Sequence, residues 1–161
     1  GSGSGSNSEL PPVDRDGLAA LFDPMLEPMG YHVTRGGISE LSVDGSEQKR
    51  QHLGLYVAPN HYASGDEIAS DFAGLVRLFI PFVFDEWDGI DSFDICQEPF
   101  ESTSTAGPTL TLLDVSRDAA RKINWPEIGL DDIVALDHLE GIRLYVRPVI
   151  QATETWPNPT P

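Results

Sequence analysis

The chain is poor in cysteine and in basic residues, and each shortage narrows the range of functions. Its single cysteine, Cys96, cannot close a disulfide within the chain, so cysteine content favours neither export nor a cytosolic location. Ten basic residues stand against 26 acidic ones, which gives a net charge of −16. This excess opposes binding to nucleic acid and to anionic lipid, because phosphate contacts need Lys and Arg. We therefore expect no nucleic-acid partner.

Motifs for catalysis, metal binding and phosphate binding are also missing. The sequence has no G-x-S-x-G elbow, no G-x-G-x-x-G and no G-x-x-x-x-G-K-[ST]. Its four histidines are scattered without zinc spacing, and residues 85–91 lack the spacing of a calcium loop. Asp94 and Glu98 flank Cys96 and would raise the pKa of its thiol, which disfavours a cysteine nucleophile. The sequence therefore predicts no enzyme, no cofactor and no metal.

Composition divides the chain into one domain and two terminal segments. Residues 1–15 begin with three Gly-Ser pairs, typical of an engineered linker, and continue through Pro11-Pro12 as a flexible tether. Residues 16–150 suit a single α+β domain. Residues 151–161 contain three prolines and are predicted to be a disordered tail. No apolar run approaches the roughly 20 residues that a membrane span needs.

The apolar pattern from His52 to Pro148 predicts the element order β-α-β-β-α-β. A long helix is expected after the capping box Ser64-Gly65-Asp66-Glu67, because Ser64 and Glu67 can satisfy the first free backbone N–H groups. Alternating or apolar segments predict strands at 52–57, 93–96, 109–115 and 142–147. This order is that of the ferredoxin-like split βαβ fold. We therefore predict an α+β domain of that type, with an extra N-terminal helix and a hairpin around Gly36-Gly37.

The long helix ends in a segment of one charge sign. Between Arg77 and Arg117 there is no Lys, Arg or His, but there are eight acids. Apolar residues cover roughly two-thirds of the helix circumference, more than one sheet would bury, so either another element of this chain or a partner chain must cover the rest. We predict a partner-binding surface here, in which apolar side chains anchor a partner and acids attract a basic one. Its predicted members are Leu78, Phe82, Asp85, Trp87, Asp88 and Asp91.

A second candidate site lies on the last predicted strand. Arg143, Tyr145 and Arg147 alternate along its polar face and could hold the carboxylate of a ligand, or pair with acids on the sheet. Domains with this strand order often bind ligands at a sheet edge. The alternative function is therefore a small-molecule sensor.

The segment Phe93-Asp94-Ile95-Cys96-Gln97-Glu98-Pro99, followed by Val115-Ser116-Arg117 and Asn124-Trp125, resembles uncharacterised actinobacterial extracytoplasmic proteins that an N-terminal anchor holds at the membrane. The resemblance spans residues 18–149. It implies a location in the cell envelope and supplies no catalytic residues. We therefore expect a non-enzymatic protein-interaction domain outside the cytoplasmic membrane, attached through an anchor upstream of residue 1. The sequence leaves its oligomeric state open.

Overall fold

A five-stranded mixed sheet forms the centre of the protein. In this computed structural model, residues 11, 14–42, 49–100 and 108–157 are described. The strands lie side by side in chain order, with β2 and β3 parallel and the other neighbours antiparallel. They are β1 (Tyr31–Ser42), β2 (Lys49–Pro59), β3 (Ser92–Gln97), β4 (Thr111–Ser116) and β5 (Ile142–Val146).

In the described part of the chain, two long helices and three short ones accompany the sheet. They are α1 (Arg15–Leu26), α2 (Gly65–Glu86), α3 (Arg117–Ala120), α4 (Leu130–Ala135) and α5 (Pro148–Gln151). The predicted capping box starts α2: Ser64 Oγ accepts from the Glu67 backbone N–H, and Glu67 Oε1 accepts from the Ser64 N–H. The helix runs through Pro81 to Glu86. None of the described helices combines the length and apolar character needed to cross a membrane.

One face of the sheet is packed against the helices. Leu53, Leu55, Phe93, Ile95 and Leu113 on this covered face are fully buried. They belong to one apolar core with residues of α1, α2 and the short helices. Because side chains alternate along a strand, the residues between them point to the opposite side, here called the open face.

Buried polar groups on the covered face have hydrogen-bond partners. Gln97 Nε2 donates to Tyr31 Oη and to the Ile68 carbonyl, each at 3.0 Å. Thr111 Oγ1 donates to Gln97 Oε1 at 2.7 Å, and Tyr31 Oη donates to Asp71 at 2.9 Å. These bonds join β1, α2, β3 and β4, and they explain how two uncharged polar side chains with no exposure are tolerated in the core.

The α+β class and the predicted element order are confirmed, but the ferredoxin-like strand order is not. β2 and β3 hydrogen-bond directly from His52↔Ser92 to Val57↔Gln97. A split βαβ unit instead places another strand between its two parallel strands. β5 pairs with β4, its predecessor in the chain, rather than with β2.

The extra N-terminal helix is confirmed as α1, whereas the hairpin at Gly36-Gly37 is wrong. Residues 31–42 form one strand that pairs antiparallel with β2. At Gly36, a Cβ would lie 2.8 Å from both Gly54 O and Leu18 Cδ1. Gly36 is therefore required by close packing beneath α1 and not by a turn.

The prediction of a disordered tail is wrong for residues 151–157, since Gln151 ends α5 and the residues after it pack against α2. Trp156 is only 4% exposed and packs against Phe72 with ring centroids 6.0 Å apart. The backbone N–H and hydroxyl of Thr155 donate to Asp66 at 3.0 and 2.7 Å. Burial of a large aromatic ring offsets the cost of ordering this segment. Residues 158–161 of the predicted tail, and residues 1–10, 12 and 13 of the predicted linker and tether, lie outside the described residues.

Candidate binding face of the sheet

The predicted partner surface at the end of α2 is not one exposed surface. Trp87 is 8% exposed and packs edge-on against Phe22 and Phe82, at centroid distances of 6.0 and 5.8 Å. Phe82 also packs against Phe22 at 6.1 Å. Helix α1 therefore covers much of the broad apolar arc of α2. Of the three predicted apolar anchors, Trp87 is buried, Phe82 is partly buried and Leu78 is 37% exposed.

The acids of that predicted surface have different environments. Asp85 and Asp88 are exposed. Asp91 is partly buried, and its Oδ2 accepts from the Gln51 N–H at 2.9 Å where β2 and β3 approach each other. Arg117 contributes positive charge nearby, since its guanidinium donates to the carbonyls of Phe84, Trp87 and Ile90. Asp91 thus has a structural role, and the helix end is less negative than the sequence suggests.

The open face brings polar residues from all five strands into register. Its central row, one residue from each strand in order, is Gly37, Gly54, Asp94, Asp114 and Arg143. The row on one side is Arg35, Tyr56, Cys96, Leu112 and Tyr145. The row on the other side is Ser39, His52, Ser92 and Ser116. Two members of the second candidate site thus lie in these rows, with Arg143 beside Asp114 and Tyr145 beside Leu112.

A bonded chain of polar groups centres on His52. Its Nε2 lies 3.3 Å from Asp94 Oδ2, and its Nδ1 lies 2.7 Å from Ser92 Oγ and 4.0 Å from Asp114 Oδ1. The hydrogen bond to Asp94 raises the pKa of His52, although burial of the ring opposes this effect. Arg143 Nη2 donates to Asp114 Oδ2 at 3.3 Å. Burial raises the pKa of Asp114, and the facing carboxylate of Asp94 adds to the rise.

Asp94 itself is incompletely bonded. The residue is 7% exposed, and its Oδ1 has no hydrogen-bond partner among the described residues. Oδ1 lies over Gly54, where a Cβ would come within 2.9 Å of it. Gly37 on β1 and Gly54 on β2 are paired, so neither of these two strands places a side chain in the space on this side of the carboxylate. The result is a concavity of about 360 Å³, here called the glycine notch, whose lining includes Ser39, His52, Tyr56 and Arg35.

A β-bulge places Arg35 at the wall of the glycine notch. The register shifts between Val33 and Arg35, which turns Arg35 onto the open face. Its guanidinium stacks over Tyr56 at 4.0 Å and contacts Glu98 Oε2 at 3.0 Å. Glu98 is fully buried and also accepts from Thr34 Oγ1 at 2.6 Å. The positive charge of Arg35 is therefore matched by a buried carboxylate, and burial raises the pKa of Tyr56 to about 12.

His52 contacts both Ser92 and Asp94. A hydroxyl, an imidazole and a carboxylate are the groups that can serve as nucleophile, base and orienting acid in nucleophilic catalysis. An acyl-transfer site also needs N–H donors for an oxyanion. Here the serine lies inside a sheet, where backbone N–H groups point along the sheet plane into the strand ladders. In the described part of the chain, no cluster of three or more His, Cys, Asp or Glu residues could hold a metal. The side chains of this face present charged groups and hydrogen-bonding groups.

The third member of the second candidate site lies apart from the central row. Arg147 follows β5, and its Nε donates to the Thr109 carbonyl at 3.2 Å. Cys96 lies on the open face but is fully buried, and burial strongly raises the pKa of its thiol. Arg147 thus uses one of its donors within the protein, and the buried Cys96 thiol lacks the exposure that a nucleophile requires.

A larger concavity, of about 780 Å³, lies beside α3. Five basic residues line it: Lys49, Arg50, Arg117, Arg121 and Lys122. Three of them already have partners, because Lys49 pairs with Glu40, Arg121 with Asp118 and Arg117 with three carbonyls. Asp91, Asp118 and Glu140 also line the space and offset much of its positive charge. The open face therefore remains the better-defined candidate.

No protein-family model, curated protein or solved structure matches this chain. Its own residues are therefore the basis for any functional conclusion. The sequence did contain a signal for the missed residues: His52, Gly54 and Tyr56 alternate with apolar residues, as does Asp94. That alternation predicts polar positions on one face of each strand. It does not predict which of these positions are neighbours.

Proposed function

We propose that this chain is a non-enzymatic interaction domain that binds a partner protein through the open face of its sheet. The observation that carries the proposal is the open face itself, to which all five strands contribute polar residues and which includes a buried carboxylate oxygen with no partner among the described residues. The helices pack on the covered face, where the strands contribute their apolar residues. The open face is thus the side of the sheet that presents recognition chemistry.

Residue types on this face support a protein partner. Tyr and Arg are enriched at protein interfaces because they combine a large contact area with hydrogen-bond donors. Tyr145 is 44% exposed, and the Arg143 side chain is 73% exposed beside it on β5. The net charge of −16 favours a basic partner through long-range attraction. An extracytoplasmic, membrane-anchored location is part of the proposal and is supported by the resemblance of the segment around Phe93.

The small-molecule sensor is the second candidate, and the glycine notch is the observation in its favour. Its volume of about 360 Å³ lies near the lower end of the range for ligand pockets, about 300–1,000 Å³. However, the notch lies on a sheet surface and could enclose only part of a molecule. It is better suited to one side chain of a larger partner than to a whole ligand.

The test is co-purification of the full-length, natively anchored protein from its source envelope. We compare the wild type with Arg143→Ala/Tyr145→Ala on the open face and with the matched surface variant Asp85→Asn/Asp88→Asn at the end of α2. We expect a stoichiometric partner that is retained by the second variant and reduced at least about tenfold by the first, since central Tyr and Arg contacts dominate binding energy.

Two outcomes would overturn the proposal. One is that no partner co-purifies in stoichiometric amount. The other is that the open-face variant retains the partner in full. If instead only the Asp85→Asn/Asp88→Asn variant loses it, the acidic helix end is the binding surface and the open face is not.

A further inference from the structure

The unsatisfied oxygen of Asp94 indicates what the open face binds. Its Oδ2 is already held by His52 Nε2 at 3.3 Å, whereas Oδ1 has no partner among the described residues. Buried carboxylate oxygens normally receive hydrogen bonds, so such an exception calls for a specific explanation. The polar residues of the covered face, such as Gln97 and Thr111, show the normal situation in this protein.

The glycine notch provides the approach to this oxygen. Gly37 and Gly54 are neighbours on adjacent strands, which lie about 5 Å apart. Their lack of side chains leaves a gap that Asp94 closes at one end. Arg35 and Tyr56 flank the gap on one side, and Ser39 and His52 flank it on the other. These dimensions suit the end of one extended side chain.

The charges around the notch select the kind of side chain. The Arg35 and Arg143 guanidinium groups are paired with Glu98 and Asp114. When His52 is neutral, Asp94 therefore adds one negative charge that these pairs do not balance. A carboxylate can only accept hydrogen bonds, and it accepts most strongly from a charged donor. From this geometry we infer that the glycine notch receives a cationic nitrogen group of the partner, the ammonium of a lysine or the guanidinium of an arginine. This inference deepens the proposed function and rests on it.

Protonation of His52 competes with such a cation. The groups that face the ring are Asp94 and Ser92 on β3, Asp114 on β4, Arg143 on β5 and Ser39 on β1. Protonated His52 neutralises Asp94, whereas a bound cation next to Asp94 disfavours the second positive charge on the ring. Affinity for the cation therefore rises as pH increases through the titration of His52, and bound cation lowers the pKa of His52.

The test uses three small probes that differ only in the end of their side chain. N-acetyl-lysine methylamide and N-acetyl-arginine methylamide carry the two cations, and N-acetyl-norleucine methylamide is neutral. The probes are titrated into the isotope-labelled chain by NMR, following the Gly37 and Gly54 amides and the His52 ring. We expect at least one cationic probe to bind about tenfold or more tightly than norleucine, more tightly at pH 8 than at pH 6, and to shift the His52 titration downward. The relative affinities of the two cations identify the preferred group.

Variants assign the effect to Asp94. Asp94→Asn removes the charge at nearly constant shape and is expected to abolish the preference for a cation. The matched control Asp88→Asn removes an exposed charge at the end of α2 and is expected to leave binding within about twofold of wild type. Gly54→Ala places a methyl group next to Asp94 Oδ1 and is expected to block the notch. Each variant is first compared with wild type by its amide spectrum. If Asp94→Asn does not fold, the His52 titration of the wild type with and without probe decides the question.

The inference is overturned if the three probes bind equally, if Asp94→Asn keeps the cation preference, or if the cations leave the His52 titration unchanged. Its failure is separable from that of the proposed function. Loss of the partner by Arg143→Ala/Tyr145→Ala but not by Asp94→Asn would refute the cation site and leave the interaction domain intact. Probe binding that depends on Asp94 in a protein with no co-purifying partner would refute only the interaction domain.

Discussion

At the scale of single residues, His52 links the open face to the stability of the fold. The hydrogen bond with Asp94 raises the folded-state pKa of His52 above 6.5, its ordinary value. The protonated ring is thus stabilised by folding. This contribution is fully present below about pH 6.5 and is lost as pH rises through the folded-state pKa. We predict that the free energy of unfolding of wild type, relative to His52→Gln, decreases from pH 6 to pH 9.

Urea unfolding of both proteins across this pH range measures the difference. The matched variant Ser92→Ala removes the hydroxyl near His52 Nδ1 but keeps the contact between His52 and Asp94. It is expected to retain the pH dependence, because the bond to Asp94 is the largest cause of the shift. A pH-independent difference between wild type and His52→Gln would contradict the prediction.

The sequence predicted which residues lie on the polar side of an individual strand, but not which residues are their neighbours on the adjacent strands. The alternation around His52 placed Gly54 and Tyr56 on the polar side of a strand, and the structure agrees. The pairing of Gly54 with both Gly37 and Asp94 depends on the register of three strands. Local patterns do not fix such long-range register, so the glycine notch was not visible in the sequence.

At the scale of elements, the C-terminal segment is part of the packed structure. Trp156 covers Phe72 in the middle of α2, and Thr155 binds Asp66 in its first turn. We predict that Trp156→Ala lowers the free energy of unfolding by about 3 kcal/mol, the typical cost of removing a large buried ring. Equilibrium urea unfolding, monitored by far-UV circular dichroism, measures this loss.

Two further variants test the cause of that loss. Trp156→Phe keeps a ring against Phe72 and is expected to retain more than half of the stabilisation. Glu154→Ala changes an exposed residue of the same segment and is expected to stay within about 0.5 kcal/mol of wild type. Equal effects of Trp156→Ala and Glu154→Ala would mean that the segment contributes little to the fold.

Elements with strong local signals were predicted well. The capping box at Ser64 and the apolar periodicity of α2 correctly identified the longest helix. β1 was misread because Gly36-Gly37 has the composition of a turn, although Gly36 is required by the packing of Leu18. The tail was predicted to be disordered because of its three prolines, and the packing of its single tryptophan was not foreseen. Both errors arise where tertiary contacts override local propensity.

At the scale of the whole molecule, the described helices pack on one face of the sheet, so that its two faces differ. The element order from β2 to β5 followed from the sequence, yet the sheet order did not, since several topologies share that order. The extent of the predicted partner surface also depended on how the helices pack. The broad apolar arc of α2 requires a cover, and only the structure shows that α1 provides it through Phe22.

The rate at which a reagent modifies the Cys96 thiol can be used to measure opening of the sheet. The thiol lies in the middle strand, fully buried, in the row of the open face that contains Arg35, Tyr56 and Tyr145. On the open face, the thiol is covered by side chains and not by any of the described helices. We therefore predict that local movement of these side chains is enough to let a small thiol reagent modify it. The modification rate would then be nearly constant at low urea concentrations and rise only near global unfolding.

A rate that instead follows the free energy of global unfolding at every urea concentration would contradict that prediction. The single cysteine makes the measurement unambiguous, since each chain gains one label. A partner docked on the open face would restrict the side-chain movements that admit the reagent. Slower labelling would then report occupancy of this face in real time, without any added tag.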